Sequence, residues 1–353
     1  MFEQFGFETV TPMQASFVFA LIVGIVFGVL AQHLKFCFRS AIVGDKGSKP
    51  VARGIWFTAL SAALLGTQFL VMNDYISFNG HRFFEKDLPM LAIVLGGLLF
   101  GIGMVLTRGC ISRLTVLAGT GNLRALTVII VFAILAHATL KGFLAPVRVW
   151  LGSITVPLGQ TTSLADLPGG AEFWTSAMAL AAFALALRSS VKWKEVILAL
   201  ILGLLVPFAW LGTGFILQDV FDPIAMQSLS FTSPAADLLF WSIASSSIPA
   251  GFGVGFILGV VFGSALAAIS KSEFIWQSFE NAQQTKRYFL GAGLMGVGGV
   301  LAGGCTVGAG LGGVPTLSIA ALLALAFIAG GAVLANYILH PRGRASLAPL
   351  VVH

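Results

Sequence analysis

Mostly apolar stretches separated by short polar loops recur along the whole chain, near 15–34, 52–72, 90–106, 124–143, 172–188, 195–217, 250–270, 288–303 and 316–340. A helix needs about 20 residues to cross the hydrocarbon of a bilayer. Each stretch therefore predicts a transmembrane helix, nine in all, with the third and eighth short. The segment DLLFWSIASSSI at 237–248 is too short to span and predicts an interfacial or re-entrant piece.

Composition excludes the alternatives. Of the 353 residues, 57% are hydrophobic and 10% charged, with a mean hydropathy of +0.95. A soluble domain carries about 25% charged residues, far more polar surface than this chain can supply. The expected fold is an all-α polytopic membrane protein forming a single integral domain over 1–353, with short re-entrant helices beside the spans.

Charge then sets topology. With loops alternating from an outer N-terminus, the outer side receives Arg82, Lys86, Lys141 and Arg148, and the inner side receives the other sixteen of the 20 Lys and Arg. Cytoplasmic loops carry the excess of positive charge, so the split predicts the N-terminus outside and the C-terminus inside. The net charge of +6 is this bias and not a nucleic-acid footprint. Acids and no basic residue precede the first span, unlike a secretory signal peptide.

Two short spans end alike. GIGMVLTRGCIS at 101–112 and GVGGVLAGGCTV at 296–307 align without a gap from Leu95 against Leu290 to Cys110 against Cys305. A weaker echo links VGIVFGV at 23–29 with VGFILGV at 254–260, giving pseudo-repeats of about 15–143 and 237–340. The third and eighth spans lie five apart, so the copies are expected to run in opposite directions. Inverted repeats in transporters place the substrate path at their interface, where broken helices expose free amides. Irregular backbone at membrane depth is tolerated where it lines a watery cavity. Gly109 and Gly121 around the first motif, and Gly303, Gly304, Gly308 and Gly310 around the second, are the expected re-entrant backbone. The competing reading is that these glycines only let helices pack closely.

Cys37, Cys110 and Cys305 are the three cysteines, and each sits where an apolar run breaks. No CxxC pair is present, which argues against a disulfide framework or a zinc site, and no residue set points to a cofactor. Neutral thiols are soft, polarizable neighbours. They suit an anion carrying sulfur or selenium better than a carboxylate or phosphate. Lys35, Arg39, Arg108 and Arg113 border the cysteines and could attract an anion, although they also carry the topological bias. Two other classes fit less well. A membrane thiol enzyme would break an S–S bond, with Cys37 between Lys35 and Arg39 as the nucleophile that takes one sulfur as a persulfide while the rest of the substrate leaves. A Cu(I) carrier would use the three thiols but lacks Met or His clusters along an entry route.

KFCFRSA after the first span, RGCISRLTVLAGTGN after the third and GGCTVGAGLGG after the eighth together resemble the YeeE/YedE family of membrane proteins, over about 15–340. The resemblance implies a multi-pass protein of the bacterial inner (plasma) membrane that conducts thiosulfate into the cytoplasm. Cys37, Cys110 and Cys305 would pass the ion along by S–H···S contacts. It also implies a cytosolic TusA-like sulfur carrier as partner. The chain departs from the family in TVGAGLGGVP after the third cysteine, which is less polar than is usual. Some relatives handle selenium or other sulfur species.

Neither a phosphate-binding loop nor a mid-span Asp or Glu is present. Gln68, His137 and Asn336 are the polar residues inside spans, and they read as hydrogen-bonding groups between helices.

Overall fold

The computed structural model describes residues 10–159, 161–219 and 221–339. The acids before the first span and the basic residues Arg342 and Arg344 lie outside the described residues. Among those described, nine helical spans are long and apolar enough to cross a membrane.

The first three helices are α1 (Pro12–Leu34), α2 (Phe38–Val43) and α3 (Ser48–Met72). They are followed by α4 (Met90–Leu106), α5 (Ile111–Gly119), α6 (Leu123–Lys141) and α7 (Ala145–Gly152). The remainder are α8 (Gly170–Leu187), α9 (Trp193–Leu211), α10 (Thr232–Ala244), α11 (Phe252–Ser270), α12 (Ala282–Leu301) and α13 (Ile319–Leu339). Caps explain several boundaries. Thr11 and Gln14 form a reciprocal capping box ahead of Pro12 at the start of α1. Asn281 accepts from the Gln284 amide and starts α12 at Ala282 rather than at 288. The eighth span is therefore not short: its first turns are the polar AQQTKR, which apolar patterning alone leaves out. The third stays short at 17 residues. The segment around 237–248 lies in and just beyond α10, whose 13 residues do not cross.

Small residues set the helix crossings, as expected where lipid supplies no hydrophobic drive between helices. A methyl on Gly24 would strike the Phe256 carbonyl, and one on Gly263 would strike that of Ile25. Contact positions on α1 and α11 rise together, so these helices are parallel, and the echo between 23–29 and 254–260 forms their seam. Between α4 and α12 the order reverses. A methyl on Gly103 would stand 2.5 Å from the Gly291 oxygen, and one on Gly298 would stand 2.6 Å from the Gly96 oxygen. The two helices that end in Gly-Cys are thus antiparallel. Gly97 and Gly101 meet α13 in parallel at Phe327 and Ala332, and α3 meets α9 in parallel through Ala59 and Gly203. Every one of these directions agrees with strict alternation of nine spans.

Loops tie each end together. Asp87–Leu88 pairs antiparallel with Val156–Pro157, and Leu164 donates its amide to the Leu317 carbonyl at 2.9 Å, both at one end. At the other end, the Lys/Arg-rich one, Leu123 donates to the Gln277 carbonyl at 2.9 Å and Ile275 donates to that of Thr120 at 3.2 Å. Trp150 is exposed at the first end, Trp193 and Trp276 at the second, as in the aromatic belts of membrane proteins.

Candidate functional site

Three helix breaks share one backbone solution. Lys35, Arg108 and Gly303 adopt left-handed φ values of 48, 59 and 73°. This conformation stops a helix because the chain leaves the right-handed well. Two residues after each comes a cysteine in extended conformation, at the N-cap of the next helical segment: Cys37 before α2, Cys110 before α5, and Cys305 before a π-helical segment, Thr306–Gly313. At 303 the residue is Gly, which adopts φ > 0 without cost, whereas Lys35 and Arg108 pay about 1–2 kcal/mol. The stops are closed by main-chain bonds, Phe36 to Ala31 at 3.0 Å and Gly109 to Met104 at 3.1 Å.

A thiol is a weak cap. Cys37 and Cys110 accept no capping bond from the following turn, and Cys305 Sγ accepts one, from Gly308 N at 3.3 Å. First-turn amides otherwise lack intrahelical partners and favour an anion.

The breaks bring two cysteines together. Cys37 Sγ lies 3.9 Å from Cys110 Sγ, and Cys110 Sγ lies 3.1 Å from Ser112 Oγ. All three thiols are free and buried. A disulfide needs sulfurs about 2.05 Å apart, so the pair is an S–H···S contact. Among the described residues, no three His, Cys, Asp or Glu side chains gather to hold a metal. Phe38, directly after Cys37, packs its ring 4.7 Å from that of Trp56, and a methyl on Gly310 would stand 3.3 Å from Trp56 Cζ2. Trp56 therefore bridges the Cys37 break and the segment after Cys305.

The predicted re-entrant glycines have different surroundings. A methyl on Gly308 would meet Ser230 Oγ at 2.6 Å, and one on Gly304 would meet Ala309 N at 2.8 Å, so bare backbone is tightly enclosed here. Gly121 lies beyond the far end of α5 from Cys110, with φ of 92°, against the loop carrying Ile275.

Basic side chains cluster at the α4–α5 break. Arg113 Nη1 donates to Gln32 Oε1 at 3.1 Å, and Gln32 Nε2 donates to Glu273 Oε2 at 3.1 Å. Arg287 Nη2 reaches the Val105 carbonyl at 3.4 Å, while the buried Nε atoms of Arg39 and Arg287 make no hydrogen bond. Lys35 and Arg108 are exposed. Arg124 pairs with Glu280 at 3.4 Å across the loop junction, beside a small cavity of about 130 Å³ lined by Arg108, Asn122 and Tyr288.

At the other end lies a cavity of about 570 Å³, lined by Ser77, Asn79–Phe83, Trp210, Gln218, the 225–230 strip, Asp237, Gly308 and Gly312. Its floor is the π-helical segment capped by Cys305. Sequence reasoning missed this cavity, His81, Arg82 and Asp237 included. The available signal was SFNGHRFF at 77–84, a polar loop holding one of the few basic residues on its side. Burial, helped by the Arg82 charge, pushes His81 down to about 4, so it is neutral near pH 7. Its Nδ1 accepts from Phe83 N at 3.4 Å. Arg82 lines the same cavity as Gly308 and Gly312 of the segment that Cys305 caps. Burial raises the Asp237 carboxyl above its ordinary value, opposed by Lys141 and His137.

A family model described as sulphur transport matches residues 33–334. A Spirochaeta thermophila protein named thiosulfate transporter TsuA is 28% identical over 330 residues, covering 87% of this chain and 94% of that protein. An Escherichia coli K12 protein of the same name is 25% identical over 358 residues, covering 93% and 96%.

Proposed function

The chain belongs to the sulphur-transport family, and on that premise we propose that it carries thiosulfate, or a closely related sulfur anion, across the bacterial inner membrane into the cytoplasm. It is a multi-pass membrane protein of a family of transporters rather than enzymes. The likeness to two proteins named thiosulfate transporters supports the choice of ion.

One observation carries the path: three thiols cap three helix breaks of the same form, and two of them touch. In this reading the ion enters the larger cavity, drawn by Arg82, and reaches Cys305 behind the Gly308 amide. It continues to Cys37 and Cys110 and leaves past Arg113, Arg39, Arg108 and Lys35. Gly109, Gly303, Gly304, Gly308 and Gly310 provide backbone without side-chain bulk along that route. A neutral S–H offers a hydrogen bond to the terminal sulfur without a full charge that would trap the ion, as conduction requires weak, successive sites. The antiparallel packing of α4 and α12 supports the inverted repeat, since it sends the two Gly-Cys ends toward opposite faces. A cytosolic TusA-like sulfur carrier would receive the ion at the basic end.

Growth of a thiosulfate-dependent bacterium lacking its own uptake system tests the reading. Wild type should restore growth on thiosulfate as sulfur source, and Cys110→Ala and Cys305→Ala at matched membrane levels should not. Growth with both variants would remove the thiols from the path, and failure of wild type would point to another sulfur or selenium species.

A further inference from the structure

Trp56 is 1% exposed, and its indole Nε1 makes no hydrogen bond. Buried donors nearly always have a partner, because an unsatisfied one costs about 1–3 kcal/mol. An apolar residue of similar shape would avoid that cost, and a chain that is 57% hydrophobic has no shortage of phenylalanine. The position of Trp56 supplies a reason for the indole. Its ring lies 4.7 Å from that of Phe38, the residue after Cys37, and its Cζ2 edge, which carries the N–H, faces Gly310 in the segment that Cys305 caps. Phe57 packs edge-on against the same ring at 5.5 Å. Thr306, directly after Cys305, is likewise buried with an unpartnered hydroxyl.

We propose that Trp56 donates its indole N–H to the permeating anion between the Cys305 turn and the Cys37–Cys110 pair. The inference rests on the transport reading above and names a contact within it. The donor is neutral, so it orients an oxyanion without adding a charge that would hold it. Gly310 keeps the approach open: a side chain there would press on Trp56 and on Leu325, whose Cδ1 would be 2.9 Å from the added methyl.

The test is Trp56→Phe in purified protein reconstituted into vesicles, followed by labelled thiosulfate uptake and thermal unfolding in the same preparation. The variant keeps an aromatic ring and removes the donor. Uptake should fall by at least about tenfold, the low end for a hydrogen bond to a charged group. The unfolding temperature should fall by no more than a few degrees, because removing an unsatisfied buried donor offsets much of the cavity that the smaller ring leaves. Uptake matching an active wild type would overturn the contact and leave the transport reading intact. Lost uptake accompanied by a collapse of the unfolding temperature, well beyond the cost of the small cavity, would mark the indole as packing and overturn it too. Wild-type vesicles no more permeable than empty ones would defeat the transport reading and this contact with it.

Discussion

The sulfur of Cys37 stands 3.9 Å from the sulfur of Cys110, although the residues are 73 apart in sequence and begin different helices. Each is held by its own left-handed stop, Lys35 in one case and Arg108 in the other. Neither cysteine backbone can shift without disturbing a helix end, and both thiols are buried. The two therefore form one fixed unit, and substitutions in it should not add.

Cys37→Ala and Cys110→Ala are each expected to reduce thiosulfate uptake. The double variant should be no slower than the worse single one, because removing either thiol already breaks the contact. Uptake into vesicles by the four proteins, with membrane insertion matched, measures this. Multiplicative losses would mean that the sulfurs act separately.

Glycine has two roles in this chain, and stability separates them. Gly298 lies against α4 with no room for a methyl, which would stand 2.6 Å from the Phe100 amide nitrogen, whereas a methyl on Gly330 would meet nothing within 4 Å. Gly298→Ala should destabilise by about 1–3 kcal/mol, the usual cost of overpacking. Gly330→Ala should be neutral or stabilising by up to about 1 kcal/mol, the helix preference for alanine. Thermal unfolding of the detergent-solubilised variants decides, and equal behaviour would deny that Gly sets the α4–α12 distance.

The spans and the three cysteine stations were legible in the sequence because both are local. Apolar length marks a crossing, and a cysteine where an apolar run breaks marks a stop. Polar helix beginnings escaped that reading, so Ala282 and the turns after it were missed until the Asn281 cap located them. The larger cavity escaped for a different reason. His81, Trp210, Asp237 and Gly308 come from four distant parts of the chain, and nothing in the spacing of one announces the others. The echo between 23–29 and 254–260 was legible as a resemblance. Its meaning as a seam between parallel helices required the contacts between Gly24 and Phe256.

Arg82 tests the assigned entrance. As a charge on the cavity wall it should raise the local concentration of an anion and leave later steps alone. Arg82→Gln is expected to raise the KM for thiosulfate several-fold with little change in maximal rate. The salt dependence of uptake at low substrate should also weaken. An unchanged KM would place the entrance elsewhere.

Asp237 makes that entrance sensitive to pH, and the sign follows from its surroundings. Burial raises its carboxyl above the ordinary value of 3.8, so the neutral form persists to higher pH than for a free aspartate. The ionised carboxylate repels a thiosulfate dianion in the same cavity, whereas the neutral acid does not. Uptake should therefore increase as the pH on the cavity side falls through the raised Asp237 pKa, and decline as it rises. The other groups facing it push in known directions. Lys141 and His137 favour the charged form of Asp237, which limits the upward shift. His81, held down to about 4, gains its charge only below that range and adds attraction only there. Asp237→Asn should give wild-type acid-side uptake at every pH and flatten the profile above about 5, a range in which His81 stays neutral. A profile unchanged in Asp237→Asn but flattened in His81→Asn would assign the titration to the imidazole instead.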